Sequence, residues 1–506
     1  MEVLHELNGI TYILAVGFMG LWFLFSSRQT WNVIMGVGFF ICLFANFAIT
    51  MGASLGPVKY FVFSKNLLLI AFFSFIFRWL RSNKIGLVLA IVASIALSML
   101  LFKMKIENRV VPSNLQHPIE LGELLIKTSP DHIDMIRVEL SAYSARIEKA
   151  FYPEMEGTAL DKFYVIDIPD DQSDKKRELL AVLHRHQLIT YGEYNDVVQI
   201  QPRPGLVVDE IPTSIFVNDP LSSGQWAFEK LNFNRWYKLL MDHRDQVKQT
   251  VQVAVLDTGI DGSHEDLNRM VDPVYQDMKD PVGHGTHCAG IIAAETNNQK
   301  GISSMAFYND IIRIMPVKVL NRMGFGTQVQ IIRGMIRAVD QGAGVLSMSL
   351  GGISDEPKQK AYLTAVQYAN DHNVVVVTSA GNSSRSAQDF SPANVPGVIC
   401  VTALDDKNRL AYFSNYLVDI EWGIAAPGAD ILSTFPGDQY KSMSGTSMAA
   451  PFVSSVVGVI KAFAPALTSS EIYKLLHETS QPTLDVAKSG GLVQPAAALK
   501  AVLTSF

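Results

Sequence analysis

Cysteine and charged residues are both scarce in this chain of 506 residues. Three cysteines cannot build a disulfide framework, so they leave the cellular compartment open. Charged residues make up 18% of the chain, and the formal net charge of −6 argues against nucleic acid as the main partner. A chain of this length is expected to form two or three domains.

The first hundred residues have very few charged side chains. Four apolar stretches occupy residues 9–26, 32–51, 60–77 and 85–102, each close to the length of about 20 residues that a bilayer-crossing helix needs. Glu2 and Glu6 stand where a cleavable signal peptide would carry basic residues. Lys65 lies inside the third stretch and would have to extend toward the membrane surface. We predict a membrane domain of four helices over residues 1–109, with the lipid bilayer as partner.

A run of small and apolar residues begins at Ser447 and continues to residue 463, which predicts a buried helix. A serine at a helix N-terminus lies where unpaired N–H groups and the positive end of the helix dipole converge. Negative charge that develops during attack on a carbonyl would be stabilised there. Because a serine hydroxyl is a weak nucleophile, this interpretation requires a base and a group that orients the base.

Upstream motifs supply candidates for these groups. Asp257 follows the apolar run 253–256, which is typical of a buried parallel strand, so its carboxylate is expected at the ligand-binding edge of the sheet. His284 stands at a second predicted helix entrance, which can face the same crevice. Asn382 follows the strand predicted over residues 374–377, and its amide could donate to an oxyanion.

These residues lie in motifs that occur in the same order in the subtilases, the subtilisin-like serine proteases. The motifs are Asp257-Thr258-Gly259, His284-Gly285-Thr286-His287, Gly381-Asn382 and Gly445-Thr446-Ser447-Met448-Ala449-Ala450-Pro451. From about residue 218 to residue 506 the chain resembles this family. The resemblance implies that Asp257 orients the base His284, that Ser447 is the nucleophile and that Asn382 stabilises the oxyanion. It further implies hydrolysis of protein or peptide substrates through an acyl-enzyme, with no cofactor required for the chemistry.

The same resemblance implies a substrate cleft. One wall would pair with the substrate backbone and consists of Ser349, Leu350, Gly351 and Gly352. Glycines suit this wall because an extended peptide must approach the backbone closely. The far wall would consist of Ser379, Ala380 and Gly381, and the floor of the pocket would lie near residues 389–392.

Two groups of residues have side chains that are common metal ligands. His284 and His287 form an H-x-x-H pair, but a third ligand in register and the glutamate of the zinc motif are missing. Asp219, Asp266 and Asn297 match positions that bind calcium in some subtilases, and their oxygen atoms suit that ion. The alternative, surface turn residues without a metal, stays open.

The soluble part alternates strands and helices. Residues 110–202 predict strands at 121–127, 162–168 and 191–200 and helices at 130–151 and 173–186, which resembles the small α/β prodomain of many subtilases. An unrelated α/β spacer is the alternative. Residues 203–217 read as a proline-containing linker. Residues 218–506 predict strands at 251–256, 311–319, 344–350, 374–379 and 398–403, with helices such as 328–341 and 356–372 between them. We therefore predict an α/β fold with a subtilisin-like parallel sheet and helices on both faces.

The whole pattern predicts a membrane-anchored serine endopeptidase. Basic residues flank the apolar stretches in nearly equal numbers on both sides, so only the resemblance indicates an extracytoplasmic catalytic domain. Two alternatives are a catalytically silent regulator that binds peptides and a membrane sensor or transporter with an accessory protease. Few ionisable residues lie in the apolar stretches, so an ion path is not evident. The oligomeric state stays open.

Overall fold

The computed structural model divides into two compact units, Met1–Gln116 and His117–Phe506. It describes residues 12, 14–19, 21–24, 29–52, 70, 72–80, 87–88, 90–91, 93–94, 119–200, 203–205, 216–275, 279–354 and 360–505.

The first unit contains the helix α1, Gln29–Gly52, which has 24 residues and no charged residue in its first or last turn. This helix covers the second predicted apolar stretch. The other three stretches lie partly outside the described residues. Among the residues that are described, one helix has the length and hydropathy to cross a membrane, and it is the fully buried helix Thr446–Phe463 of the second unit. The membrane domain of four helices is therefore not confirmed and stays a prediction.

Residues 119–200 form a small α/β segment. Its four-stranded antiparallel sheet has the order β2-β3-β1-β4. In chain order its elements are β1 Leu124–Lys127, α2 Ile133–Ser141, β2 Arg146–Lys149, β3 Phe163–Asp167, α3 Lys176–Arg185 and β4 Tyr191–Tyr194.

Two predictions for this segment need correction. The helix predicted over 130–151 ends at Ser141, and the strand β2 replaces its last third. Ser144 has a φ of 50°, a left-handed conformation that a continuous helix does not allow. The strand predicted over 191–200 is also interrupted, because the amide of Asn195 turns away to donate to the carbonyls of Glu120 and Gly122, both at 2.8 Å.

Two short strands follow: β5 Val197–Gln199 and β6 Arg203–Pro204. The remaining chain forms the catalytic part of the fold. Its helices are α4 Ala227–Lys230, α5 Phe233–Asp242, α6 His284–Ala293, α7 Gln328–Asp340, α8 Lys360–Asp371, α9 Thr446–Phe463, α10 Ser469–Thr479, α11 Val486–Ser489 and α12 Pro495–Ser505. Its strands are β7 Val251–Asp257, β8 Ile312–Lys318, β9 Phe325–Thr327, β10 Val345–Met348, β11 Gly352–Ile353, β12 Val375–Ser379, β13 Phe390–Ser391, β14 Val398–Leu404, β15 Gly423–Pro427, β16 Ile431–Phe435 and β17 Gln439–Ser444.

Six strands pair in parallel in the order β15-β14-β12-β10-β7-β8. Alternate residues of one strand face two different cores: Val253 and Val255 pack with α6 and α9, whereas Ala254 and Leu256 pack with α7 and α8. The predicted α/β fold, with a parallel sheet and helices on both faces, is confirmed. The edge strand β15 was not predicted.

The small α/β segment packs on α7 and α8. Leu125, Phe151 and Phe163 share a buried core with the inner faces of these helices. Arg333 on α7 donates to the carbonyl of Ala150 at 2.7 Å. The second unit is thus continuous from the small sheet to the parallel sheet.

Every residue of α9 is buried. Pro451 lies inside this helix and has no N–H, so the carbonyl of Ser447, four residues earlier, receives no helical hydrogen bond from it. That carbonyl instead accepts the hydroxyl of Ser349 at 2.8 Å and the thiol of Cys288 at 3.4 Å. The proline thereby ties the first turn of α9 to two other elements.

Lys461, near the end of α9, generates a stability prediction. Its side chain is buried, and Nζ donates to the backbone and side-chain oxygens of Asn373 at 2.7 and 3.2 Å. Burial lowers the pKa of Lys461 from 10.5 to about 8. The folded chain therefore binds this proton less tightly than the unfolded chain, and stability should rise by about 2–3 kcal/mol as the pH rises from about 8 to about 10.5.

Lys461→Met should remove this rise. Thermal unfolding at about pH 7.5 and about pH 10 would measure it as a difference in Tm between wild type and variant. Lys238→Met is the matched control, because this lysine is 65% exposed. An identical pH dependence for wild type and Lys461→Met would contradict the prediction.

Candidate active site

Asp257 and His284 form a buried pair at the carboxyl edge of the parallel sheet. Asp257 ends β7 and His284 begins α6. Nδ1 of His284 lies 2.8 and 2.9 Å from the two carboxylate oxygens of Asp257, so the Nδ1–H donates to the carboxylate. Burial lowers the pKa of His284, but the charge of Asp257 and the neighbouring Cys288 outweigh it and leave this pKa well above its usual value. The pair can therefore hold a proton on the imidazole.

Glycine allows α6 to approach β7 this closely. A Cβ atom at Gly285 would lie 2.1 Å from the carbonyl oxygen of Gly259 and 3.0 Å from Cβ of Asp257. No larger residue fits there without moving the backbone. The glycines around His284 thus fix the distance between imidazole and carboxylate.

Ser447 is the second residue of α9, with a nearly buried side chain. Its Oγ donates to the carbonyl of Ser349 at 3.3 Å. Nε2 of His284 is buried and has no hydrogen-bond partner among the residues described. Contacts between a nucleophile and its base are often long before substrate binds. Rotation of the Ser447 side chain is needed to bring its hydroxyl to the imidazole.

Asn382 follows β12 and contacts the first turn of α9. Its Oδ1 accepts the backbone N–H and the hydroxyl of Thr446 at 2.9 and 3.0 Å. The carbonyl oxygen of the amide therefore faces Thr446, and a Cβ at Gly445 would lie 3.2 Å from Nδ2. The amide nitrogen thus lies beside Gly445, which precedes the first turn of α9.

The residues predicted for the substrate walls lie around this group. Ser349 contacts Ser447 directly, and the next residues lead into β11, which pairs with β13. Ser379 ends β12, and Ala380 packs against Phe390. The sequence predicts the floor of the pocket only as the range 389–392. Within this range, Phe390 lies beside the far wall, because its ring would lie 3.6 Å from a Cβ at Gly381.

The chain's own residues pair with both sides of this cleft. On one side, β5 pairs antiparallel with β9, with Val198 opposite Gly326. The N–H of Gln199 donates to Gly351 at 3.4 Å, and the N–H of Ile200 donates to the carbonyl of Gly324 at 3.2 Å. On the other side, β6 pairs with β17, the strand that leads into α9. We call residues 197–200 and 203–205 the strap. The strap also contacts the wall 349–352, through the bridge between Gln199 and Gly351.

The predicted calcium residues occupy one loop region. The side-chain amide of Asn297 donates to the carbonyl of Phe216 at 3.0 Å, whereas its backbone N–H donates to Asp219 at 2.9 Å. The next residue, Asn298, contacts both aspartates: its Nδ2 donates to Asp266 at 2.7 Å and its backbone N–H to Asp219 at 3.1 Å. Asn298 therefore joins Asn297 as a candidate. The sequence does not indicate which of these two adjacent asparagine side chains faces Asp266.

A carboxylate and an imidazole beside a serine at a helix N-terminus, all at the carboxyl edge of a parallel sheet, define the class of α/β serine hydrolases. Residues 248–496 match the model of the Subtilase family. Thermitase of Thermoactinomyces vulgaris is 41% identical over 218 residues, which are 41% of this chain and 74% of thermitase. The chain therefore belongs to the subtilase family of serine endopeptidases.

Other relatives agree with this membership. The thermophilic serine proteinase of Bacillus sp. strain AK1 is 43% identical over 215 residues, and the match spans about half of that protein, 51%. The major intracellular serine protease of Bacillus subtilis strain 168 is 39% identical over 261 residues, which are 48% of this chain and 79% of the relative. The structure of fervidolysin from Fervidobacterium pennivorans superimposes with a TM-score of 0.60 at 27% identity, over 75% of this chain and 61% of fervidolysin.

Proposed function

We propose that this chain hydrolyses peptide bonds through Asp257, His284 and Ser447, with Asn382 as oxyanion donor. The observation that carries the proposal is the buried Asp257–His284 contact at 2.8 and 2.9 Å beside the first turn of α9. Asp257 holds the proton on Nδ1, so Nε2 can take the proton of Ser447. The hydroxyl oxygen then attacks the substrate carbonyl and forms a tetrahedral intermediate. As the peptide C–N bond breaks, Nε2–H of His284 gives its proton to the leaving amine, and water then hydrolyses the acyl-enzyme.

The oxyanion would form beside the N-terminus of α9. Backbone N–H groups there and the NH2 group of Asn382 are preorganised donors, because the carbonyl end of that amide is already bound to Thr446. No cofactor enters these steps. The substrates would be extended proteins or peptides that pair with β9 and Gly351, as the strap does.

Ser447→Ala should lower kcat by about 10⁶-fold, the loss that removal of the triad serine causes in subtilisin. Labelling by a fluorophosphonate should vanish with it, because the probe reacts with an activated serine hydroxyl. Ser454→Ala is the matched control, since Ser454 lies on the same helix and contacts Ser347 and Ala450 instead. Full activity in Ser447→Ala would refute the assignment. Wild type that binds peptides but never reacts with the probe would favour the silent regulator.

We further propose that residues 1–109 form a membrane domain and that residues 110–202 are a prodomain. Support for the first is the apolar α1, whose described side chains include the exposed Ile41 and Phe44, at 63% and 72% exposure. Support for the second is the packing of the small sheet on α7 and α8 and the course of the strap. The catalytic domain would then lie outside the cytoplasm. A membrane sensor or transporter with an accessory protease stays the alternative.

Self-cleavage should fall between residues 201 and 217 and release the protease from the membrane domain. The strap holds the chain on both sides of Ser447 in a substrate-like way, and its second strand, β6, forms the first two residues of the predicted linker. Wild type and Ser447→Ala are expressed in parallel and separated into membrane and soluble fractions. The wild type should give two fragments, and Ser447→Ala should give one full-length band in the membrane fraction. One full-length band for both proteins would exclude maturation by self-cleavage.

We also propose that Asp219 and Asp266, with the loop at Asn297 and Asn298, hold a structural calcium ion. Both aspartates are buried, and burial raises the pKa of both carboxyl groups. The nearby Lys300 pairs with Glu265 at 3.4 Å and not with either aspartate. Two buried carboxylates suit a hard divalent cation, which would neutralise their charge; the amide of Asn298 would have to present its oxygen in place of Nδ2.

A calcium chelator should therefore lower the Tm of the wild type by several degrees, because an ion bound only by the folded state stabilises it by about 2.7 kcal/mol at 100 times its Kd. Asp266→Asn should have a lower Tm that the chelator does not change further. Asp242→Asn, a surface carboxylate at 48% exposure, serves as control. Identical melting curves for the wild type with and without chelator would leave these residues as a hydrogen-bonded turn.

A further inference from the structure

A second buried carboxylate lies behind the Asp257–His284 pair. Asp280 is four residues before His284, in the loop that leads into α6, and is only 6% exposed. Its Oδ1 accepts hydrogen bonds from the hydroxyl of Thr258 at 2.8 Å and from the backbone N–H groups of Val282 and Gly283 at 3.1 and 2.8 Å. One oxygen of Asp280 thus joins the end of β7 to the entrance of α6.

The other oxygen binds the first turn of α6. Oδ2 of Asp280 accepts the backbone N–H of Thr286 at 2.9 Å and its hydroxyl at 2.8 Å. Negative charge is favourable at a helix N-terminus, where N–H groups lack helical partners. Because His284 lies between the residues that Asp280 binds, the position of the imidazole depends on this carboxylate.

The hydroxyl of Thr258 lies between two carboxylates. Its Oγ1 is 2.8 Å from Asp280 and 3.1 Å from Oδ1 of Asp257, and it has one proton to donate. The shorter contact indicates that the proton goes to Asp280. The same Oγ1 accepts the N–H of Gly285 at 3.2 Å. Asp257 is left with the backbone N–H of Thr258 at 2.7 Å and with the imidazole of His284.

We infer that Asp280 is a positioning residue for the Asp257–His284 pair: it holds the ring in place and adds negative charge that stabilises the imidazolium. This inference rests on the proposed catalytic roles of Asp257 and His284. The hydrogen-bond donors to Asp280 are all neutral groups, so its charge is not cancelled by an ion pair among them.

Other groups that face the imidazole are few in the part of the chain that the structure describes. Asp257 faces it from β7, and Cys288 lies 4.0 Å from Nδ1 on the same helix. His287 is also on α6, and burial lowers its pKa to about 3, so it stays neutral at the pH of the assay. Loss of the Asp280 charge should therefore destabilise the imidazolium without compensation from its neighbours.

Asp280→Asn keeps the shape of the side chain and removes its charge. In the pH profile of kcat/KM, the acid limb reports the pKa of His284. This limb should shift to lower pH by about 0.5–1 unit, because the imidazolium loses a nearby negative charge. The weaker and less firmly held base should lower kcat by about three- to tenfold, while KM changes less than about twofold. Rates are divided by the fraction of enzyme that a fluorophosphonate titrates. A merely structural role would lower that fraction and leave the acid limb in place.

Asp261→Asn is the matched control. Asp261 also lies in a loop after β7, but its carboxylate binds Ser263 and the N–H of Gly437. This variant should keep the acid limb of the wild type. Asp280→Ser, in which a neutral hydroxyl can still accept the helix N–H groups, should shift the limb in the same direction as Asp280→Asn and serves if that variant does not fold.

An unchanged acid limb in titrated Asp280→Asn or Asp280→Ser enzyme would overturn the inference. A shift of the same size in Asp261→Asn would overturn it as well, because any loop carboxylate would then act alike. Wild type that does not react with the fluorophosphonate would overturn the proposed function instead.

Discussion

The burial of α9 against the middle strands of the parallel sheet is the constraint on which the site depends. A fully buried helix must end inside the protein, where its first N–H groups have no water to bind. Another element binds the first of these groups, since Asn382 accepts the N–H of Thr446. In the same turn, Pro451 cannot bind the carbonyl of Ser447, which instead accepts hydrogen bonds from Ser349 and Cys288. The first turn of α9 is therefore fixed from several sides, and so is the serine that it carries.

The same burial raises the electrostatic cost of the site. Removing the Asp257 carboxylate from water is costly unless donors surround it, and the imidazole of His284 and the N–H of Thr258 provide them. The buried carboxylate of Asp280 is stabilised in a similar way, by five neutral hydrogen-bond donors from three segments. The contact between Asp257 and His284 needs the close approach of α6 to β7 that Gly285 permits. Packing and charge therefore constrain the same few residues.

The cleft exposes strand edges on both sides, and an unpaired edge readily accepts an extended segment. In this chain, the strap, residues 197–200 and 203–205, fills that role, pairing with β9 on one side and with β17 on the other. Val198 and Ile200 are buried there at 2% and 6% exposure. The site is thus described in a state that resembles a bound peptide, which explains how one geometry can serve both a substrate and the chain's own strap.

The sequence alone determined the central sheet and the four motifs at its edge. Parallel strands buried on both faces appear as continuous apolar runs, as at residues 253–256 and 374–377, and residues that follow such runs must lie at the carboxyl edge. Asp257 and Asn382 could therefore be located without a structure. The apolar character of residues 1–109 was equally plain, but hydropathy gives length and not the surroundings of each helix.

Tertiary structure decided the remainder. Three of the four residues of β2 are charged, and Ile424 is the one β-branched residue of β15, so local propensity predicts neither strand. They form because partners distant in sequence pair with them. Which of two adjacent asparagines faces Asp266 depends on one turn of the loop. Asp280 resembles any loop carboxylate until the fold brings Thr258, Gly283 and Thr286 around it. These features depend on directed contacts between remote segments, whereas a pattern of apolar residues records only which faces are buried.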